Sequence, residues 1–219
     1  MHTCHVPNEL HSHLAAFDPL VSTVTVAGAR LLTGLQARWV GCEAADVQRI
    51  YFANHTSHMD FVLLWSVLPD FLREKTRPVA AADYWDRDLV RSYVIHRVFR
   101  AVVIDRKCSG QTANPIAPLI EALDCRESLI LFPEGTRGNG EALQPFKCGV
   151  FHLAKARPQV ELVPVWIDNA YRVMPKGTAV PIPLLCSVTF GQPMSLGADE
   201  PKDIFLARLR SSLLELSKQ

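Results

Sequence analysis

No uncharged apolar run in this chain of 219 residues reaches the roughly 18 to 20 residues that a membrane-spanning helix requires. The best candidate, Leu20 to Leu35, is interrupted by Arg30 and followed by Gln36 and Arg38, so it reads as an amphipathic or buried helix. Walker-type lysine loops and dinucleotide-binding glycine fingerprints are both missing, which argues against nucleotide chemistry. The six cysteines (Cys4, Cys42, Cys108, Cys125, Cys148, Cys186) show no CxxC spacing, and no secretory signal precedes them. Such scattered thiols point to a reducing cytoplasm. A charge excess is lacking too. Twenty-three Lys and Arg against 22 Asp and Glu leave +1, which excludes a generally nucleic-acid-like surface. No repeat, low-complexity segment or linker breaks the chain, and its length suits one large domain with a real core.

What is present leans toward lipid. The apolar content is 48% and the mean hydropathy is +0.09, high for a purely soluble protein. The chain is expected to be soluble or to lie on a membrane, with hydropathy favouring the second. Charge is also uneven: Arg87, Arg91, Arg97, Arg100, Arg106 and Lys107 face only Asp88 and Asp105 in the same stretch. A patch that attracts phosphate or anionic lipid and a plain solvated helix face fit this pattern equally well. The N-terminal His2, Cys4, His5, His11 and His13 read as a frayed terminus rather than a metal site.

Helical spacing runs from about Glu9 to Val40, with Pro19 expected to split it into two helices. Beyond it strand and helix patterns alternate. The strand-like runs are Arg49 to Ala53, Pro78 to Ala82, Ala101 to Asp105, Ser128 to Phe132, Glu161 to Ile167 and Leu184 to Phe190. Helical patterns fall at Asp60 to Leu68, Tyr84 to Arg97, Pro115 to Arg126, Gly149 to Ala156 and Lys202 to Ser217. The expected fold class is therefore α/β, a largely parallel central sheet flanked by helices. An N-terminal helical pair is left over as an extra layer or a membrane-facing appendage. The expected division is 1–41 for that segment and 42–219 for the catalytic domain.

Two loops carry the chemistry. Asn54-His55-Thr56-Ser57-His58-Met59-Asp60 follows the apolar run Ile50 to Ala53, and Phe132-Pro133-Glu134-Gly135-Thr136-Arg137 ends the run that starts at Leu129. Open α/β sheets build sites from such strand ends. Imidazole, with a pKa near 6.5, suits removal of a hydroxyl proton at neutral pH. A carboxylate on its other nitrogen would fix the tautomer and stabilise the imidazolium. The five-residue spacing lets His55 in the loop meet Asp60 in the first turn of the next helix. His55, His58 and Asp60 could instead offer metal ligands, but no distant cluster completes such a site and no metal is expected. His58 and Met59 are expected in the core or a helix interface. In the second loop Gly135 permits close backbone approach to a ligand. Arg137 can grip a phosphate bidentately, and Glu134 would accept from substrate hydroxyls or orient Arg137. A base facing an anion-binding loop suggests transfer of a group onto a hydroxyl of an anionic substrate.

Asn-His-x4-Asp followed about seventy residues later by Phe-Pro-Glu-Gly-Thr-Arg resembles the lysophosphatidic acid (1-acylglycerol-3-phosphate) acyltransferases of the glycerophospholipid acyltransferase superfamily. Val103-Ile104-Asp105-Arg106 looks like that family's second block, Phe146-Lys147-Cys148-Gly149 like the stretch after the third, and Val163-Pro164-Val165 like the fourth. The resemblance covers about Val40 to Phe190. It implies that His55, oriented by Asp60, deprotonates the free hydroxyl of a lysophospholipid, which attacks a fatty acyl thioester without an acyl-enzyme intermediate. It further implies that Glu134, Gly135 and Arg137 hold the glycerol phosphate and that Arg106 contributes charge. Thr136 and Lys147, within and just after the third block, join that substrate-binding set. No bound cofactor is implied. Acyl-CoA or acyl-ACP serves as co-substrate, with acyl carrier protein and the membrane surface as possible partners. Members of the family sit on the cytoplasmic face of membranes, and this chain is expected on that face of the inner (cell) membrane, peripheral or monotopic. The chain departs from the pattern on the acceptor side. Arg100 stands where the second block usually opens with glycine, Val103 replaces an aromatic, and Gly138 replaces a serine.

Overall fold

The computed structural model describes residues 18–105, 114–140, 142–173 and 184–218. Among them seven strands form one sheet: β1 (Gln36–Trp39), β2 (Arg49–Ala53), β3 (Thr76–Ala81), β4 (Val102–Ile104), β5 (Ser128–Leu131), β6 (Glu161–Ile167) and β7 (Ser187–Phe190). Their order across the sheet is β1-β7-β6-β2-β5-β3-β4. All neighbours run parallel except β6 and β7, so the expected α/β class holds. The helices are α1 (Asp18–Thr33), α2 (Asp60–Val67), α3 (Asp70–Arg73), α4 (Ala82–Trp85), α5 (Leu89–Tyr93), α6 (Ala117–Asp124), α7 (Gly149–Ala156), α8 (Ala170–Val173) and α9 (Lys202–Leu216).

Strand β2 shows how the sheet divides the core. All five of its residues are buried, and the two-residue period sends Tyr51 and Ala53 to one face and Ile50 and Phe52 to the other. The first face packs under α1, α2 and the turn at 94–98, around Leu63, Leu64 and Ile95. The second packs under α6, α7 and α9, around Leu119, Leu153 and Phe205. Strands buried on both faces read as continuous apolar runs, which is why β2 and β5 were legible in sequence.

Two expectations need correction. The helical reading to Val40 fails at its end, because Gln36–Trp39 is an edge strand parallel to β7. The expected split at Pro19 turns on the segment before residue 18, which lies outside the described residues; α1 is described from Asp18. The continuous helix expected over Tyr84 to Arg97 is broken into α4, α5 and a π-helical turn at Val94–Val98. Asp88 starts α5 as its N-cap, accepting the Arg91 N–H at 2.9 Å. Asp18 at the start of α1 accepts from the Tyr93 hydroxyl at 2.8 Å and pairs with Arg97 at 2.9 Å, tying α1 to the wider turn.

Arg100 adopts φ +50°, the left-handed region that glycine enters freely. This is the position at which the resembled family usually carries glycine. Here the conformation is held by ion pairing to Glu127 at 2.9 Å and by a bond from its guanidinium to the Glu74 carbonyl at 3.1 Å.

Candidate active site

His55 leaves the C-terminal end of β2, and Glu134 leaves that of the neighbouring β5. Side by side in a parallel sheet, the two loops following these strands meet directly. Asp60 opens α2 and is fully buried. Its Oδ2 lies 2.8 Å from His55 Nδ1 and also accepts the N–H groups of Thr56 at 2.6 Å and Ser57 at 2.8 Å. One oxygen therefore closes the turn and orients the ring. With the Nδ1 proton directed at Asp60, the lone pair of Nε2 is left to take a proton from a hydroxyl. The ring stacks on Phe132 at 4.3 Å between centroids, and a fifth of the side chain reaches solvent (21%).

The backbone of His55 is held from both sides. Its N–H donates to Glu134 Oε1 at 2.7 Å, and its carbonyl accepts the Gly138 N–H at 2.8 Å. The other Glu134 oxygen accepts the Gln144 N–H at 2.7 Å. Glu134 is 2% exposed, and burial raises its carboxyl above the usual range even with two N–H donors upon it. This differs from the expected contact with substrate hydroxyls or Arg137: both oxygens are committed to main chain, so Glu134 locks one loop against the other. Asn54, buried beside the histidine, extends the β2–β6 ladder with its side chain. Its amide donates to the Ile167 carbonyl at 3.0 Å and accepts the Ile167 N–H at 2.8 Å.

An apolar cavity of about 350 Å³ opens at the histidine. Its lining includes the polar His55, His58, Tyr84, Arg137 and Lys147 and the aliphatic Val79, Ile104, Ile116, Leu119, Leu131 and Leu153. Arg137 has a buried Nη1 that makes no hydrogen bond, and its guanidinium lies 5.9 Å from the Tyr84 ring centre. Leaving a buried guanidinium donor unmet is costly unless a ligand supplies the acceptor. Gly135 has φ +72°, and a side chain there would press on Lys147 Cγ at 3.2 Å, so the glycine permits both the turn and the lysine's position. Thr136 is exposed and does not line the cavity. Arg106 lies outside the described residues.

His58, expected in the core or a helix interface, packs against α4 and also lines the cavity. It stacks on Tyr84 at 4.8 Å, and its Nε2 is 3.5 Å from the Tyr84 hydroxyl. Burial first, then the positive charges of Arg137, His55 and Arg91, lower it to about 4. It stays neutral wherever a histidine base would work. Met59 packs against the core as expected. Among the described residues no group of three His, Cys, Asp or Glu is placed to hold a metal ion. Tyr84 and Asn54 were missed in the sequence as site residues. The Asn preceding the histidine was visible, but its partner strand lies 113 residues away.

A histidine after one strand, oriented by an aspartate that opens the next helix, thus faces an arginine loop after the neighbouring strand. A sequence model of the Acyltransferase family matches residues 41–168, and the chain belongs to that family. Among its relatives, 1-acyl-sn-glycerol-3-phosphate acyltransferase alpha of Mus musculus is 26% identical over 176 residues, covering 78% of this chain and 59% of the relative. The 1-acyl-sn-glycerol-3-phosphate acyltransferase of Cocos nucifera is 29% identical, over 66% of this chain and 50% of the relative. The chain thus spans about half the length of the relatives it matches. The crystal structure of the 1-acyl-sn-glycerophosphate (LPA) acyltransferase PlsC from Thermotoga maritima superposes with a TM-score of 0.71. It is 19% identical and covers 98% of this chain and 85% of that one, a likeness of fold.

Proposed function

We propose that the protein transfers a fatty acyl group from acyl-CoA or acyl-ACP to the free hydroxyl of 1-acylglycerol 3-phosphate, forming phosphatidic acid. The observation that carries this is the His55–Asp60 dyad at an apolar cavity beside an unsatisfied arginine donor. His55 Nε2 removes the hydroxyl proton, and the oxygen attacks the thioester carbonyl. The thiolate then leaves, taking up the proton, with no acyl-enzyme formed. The cavity's aliphatic lining suits an acyl chain, each buried methylene contributing about 0.8 kcal/mol. The decisive test is an assay of purified protein with acyl-CoA and acyl-ACP against a panel of lysolipids. Acylation of lysophosphatidic acid in preference to the others is expected. A folded preparation that acylates none of them sinks the proposal.

In this reading Arg137, with Lys147 beside it, meets the acceptor phosphate. Arg137→Ala should raise the KM for lysolipid about ten- to a hundredfold, the worth of a charge-assisted hydrogen bond. Arg137→Lys should recover little, because an ammonium cannot reproduce the fork. A defect confined to the KM of the thioester would move Arg137 to the donor side.

Attachment to the cytoplasmic face of the membrane, peripheral or monotopic, is assigned to the 1–41 segment, with 42–219 carrying the chemistry. Among the described residues no helix is long and apolar enough to cross a membrane. Helix α1 buries Val26, Ala29 and Thr33 against the domain and exposes Leu20 (59%), Val24 (62%) and Leu31 (87%) at helical spacing on its other side. That stripe supports lying on lipid. Replacing all three by serine should cut co-sedimentation with anionic vesicles by at least about tenfold, given about 1.5–3 kcal/mol for each side chain fully buried. The melting temperature should hold, because these side chains are solvent-exposed. Undiminished sedimentation would place the attachment elsewhere.

A further inference from the structure

We propose that Arg91 is a further cation for the acceptor's phosphate, gathered with Arg137 around the Tyr84 ring, and that it makes the site prefer a phosphate monoester to a diester. The inference rests on the acceptor reading above and names the residue that would set headgroup specificity.

The guanidinium of Arg91 lies 4.9 Å from the Tyr84 ring centre and that of Arg137 lies 5.9 Å from the same centre. His58 stacks on that ring as well, at 4.8 Å. Tyr84, Arg137 and His58 all line the cavity, and Arg91, outside that lining, packs against the Tyr84 ring. Both arginines also act on His58, each helping to keep it neutral. The positive charge of this cluster thus resides on two guanidinium groups.

Among the described cations of the basic stretch, Arg97 pairs with Asp18 at 2.9 Å, Arg100 pairs with Glu127 at 2.9 Å, and Arg87 donates to the Asp83 carbonyl at 2.8 Å. Arg91 is different. Its Nε meets Asp88 Oδ2 at 3.1 Å in a pair whose two side chains are 43% and 49% exposed, and exposed pairs hold a side chain only weakly. Asp88 is kept in place independently, since its Oδ1 caps α5 through the Arg91 N–H at 2.9 Å. The neighbouring Asp86 is taken by His96 at 2.9 Å. The guanidinium can therefore turn to a ligand without undoing the helix start.

Charge matching gives the chemistry. A phosphate monoester carries about −1.5 to −2 near pH 7, whereas a diester carries a single charge. One cation balances a diester; a monoester's larger charge favours several, and Arg91 joins Arg137 and Lys147, which line the cavity. Lysophosphatidic acid presents a monoester, and lysolipids with a substituted phosphate do not.

The test uses the full chain, wild type and Arg91→Ala, with 1-acylglycerol 3-phosphate and its phosphate methyl ester as acceptors. Arg91→Ala should raise KM for the monoester about tenfold, the low end for a charge-assisted contact, and leave the methyl ester within about twofold. Arg91→Lys should regain part of the monoester preference. Equal losses on both acceptors would assign Arg91 a structural role, and a loss confined to the KM of the acyl thioester would assign it to donor phosphates; either overturns the inference. A binding arm runs without turnover. Glycerol 3-phosphate should raise the melting temperature of the wild type more than its methyl ester does, and Arg91→Ala should abolish that difference. If the wild type transfers no acyl group, the acyltransferase reading fails while the melting shifts still decide Arg91. Equal shifts with both ligands in the wild type overturn it.

Discussion

Replacing His55 with alanine is expected to lower acyl transfer by about 10²–10⁴-fold, the contribution of a positioned general base. The effect should appear in kcat more than in the KM of either substrate, because the ring acts on the hydroxyl as its proton leaves. The fold should persist. His55 packs one ring face on Phe132, but its backbone is held by Glu134 and Gly138 through groups that alanine retains. Circular dichroism and the melting curve check the fold, and single-turnover kinetics check the chemistry. Wild-type turnover in a well-folded His55→Ala protein would falsify the assignment of the base.

Asp60→Asn should be nearly as severe in rate, and for a separable reason. A single oxygen, Oδ2, receives the His55 ring and the N–H groups of Thr56 and Ser57. An asparagine can place its carbonyl oxygen there and keep the turn. It then sets an amide N–H2 where Asp60 Oδ1 is buried with no hydrogen-bond partner, costing about 1–3 kcal/mol for an unmet buried donor. Catalysis loses more, since a neutral amide cannot stabilise the imidazolium that forms as the hydroxyl proton moves. We expect at least about a hundredfold loss in kcat with a modest fall in melting temperature. Asp60→Ala should lose similar activity and more stability, because it also strands the two backbone donors. If Asp60→Asn retained activity while Asp60→Ala lost it, the carboxylate would be a structural brace and not an electrostatic partner.

Local chemistry was legible in the chain. His55 and Asp60 are five residues apart, so one turn brings them together, and β2 and β5 announce themselves as apolar runs because helices cover both their faces. Helix α7 matched its sequence pattern from Gly149 to Ala156. The four residues of β1 did not, for they are exposed or half-buried and carry no alternation. Their strand character comes from pairing with Ser187–Phe190, about 150 residues on. The break before α5 was signalled by Asp88 as a capping residue, but an amphipathic pattern running through it hid the signal.

The sequence by itself determined the family, the α/β class, and the dyad, because each depends on short-range spacing or on burial that composition records. Tertiary structure alone decided what Glu134 does. A carboxylate beside a glycine and an arginine suggests a substrate contact, yet its partners are the N–H groups of His55, 79 residues earlier, and Gln144, ten residues later. It decided equally that His58 lines the cavity, since Tyr84, 26 residues away, is the ring it stacks upon. It also set Arg97 and Arg100 in ion pairs across the fold and Arg91 against the Tyr84 ring. Hydrogen bonds and ring contacts act over a few ångströms, and which groups come that close is set by strand order, which no local pattern encodes.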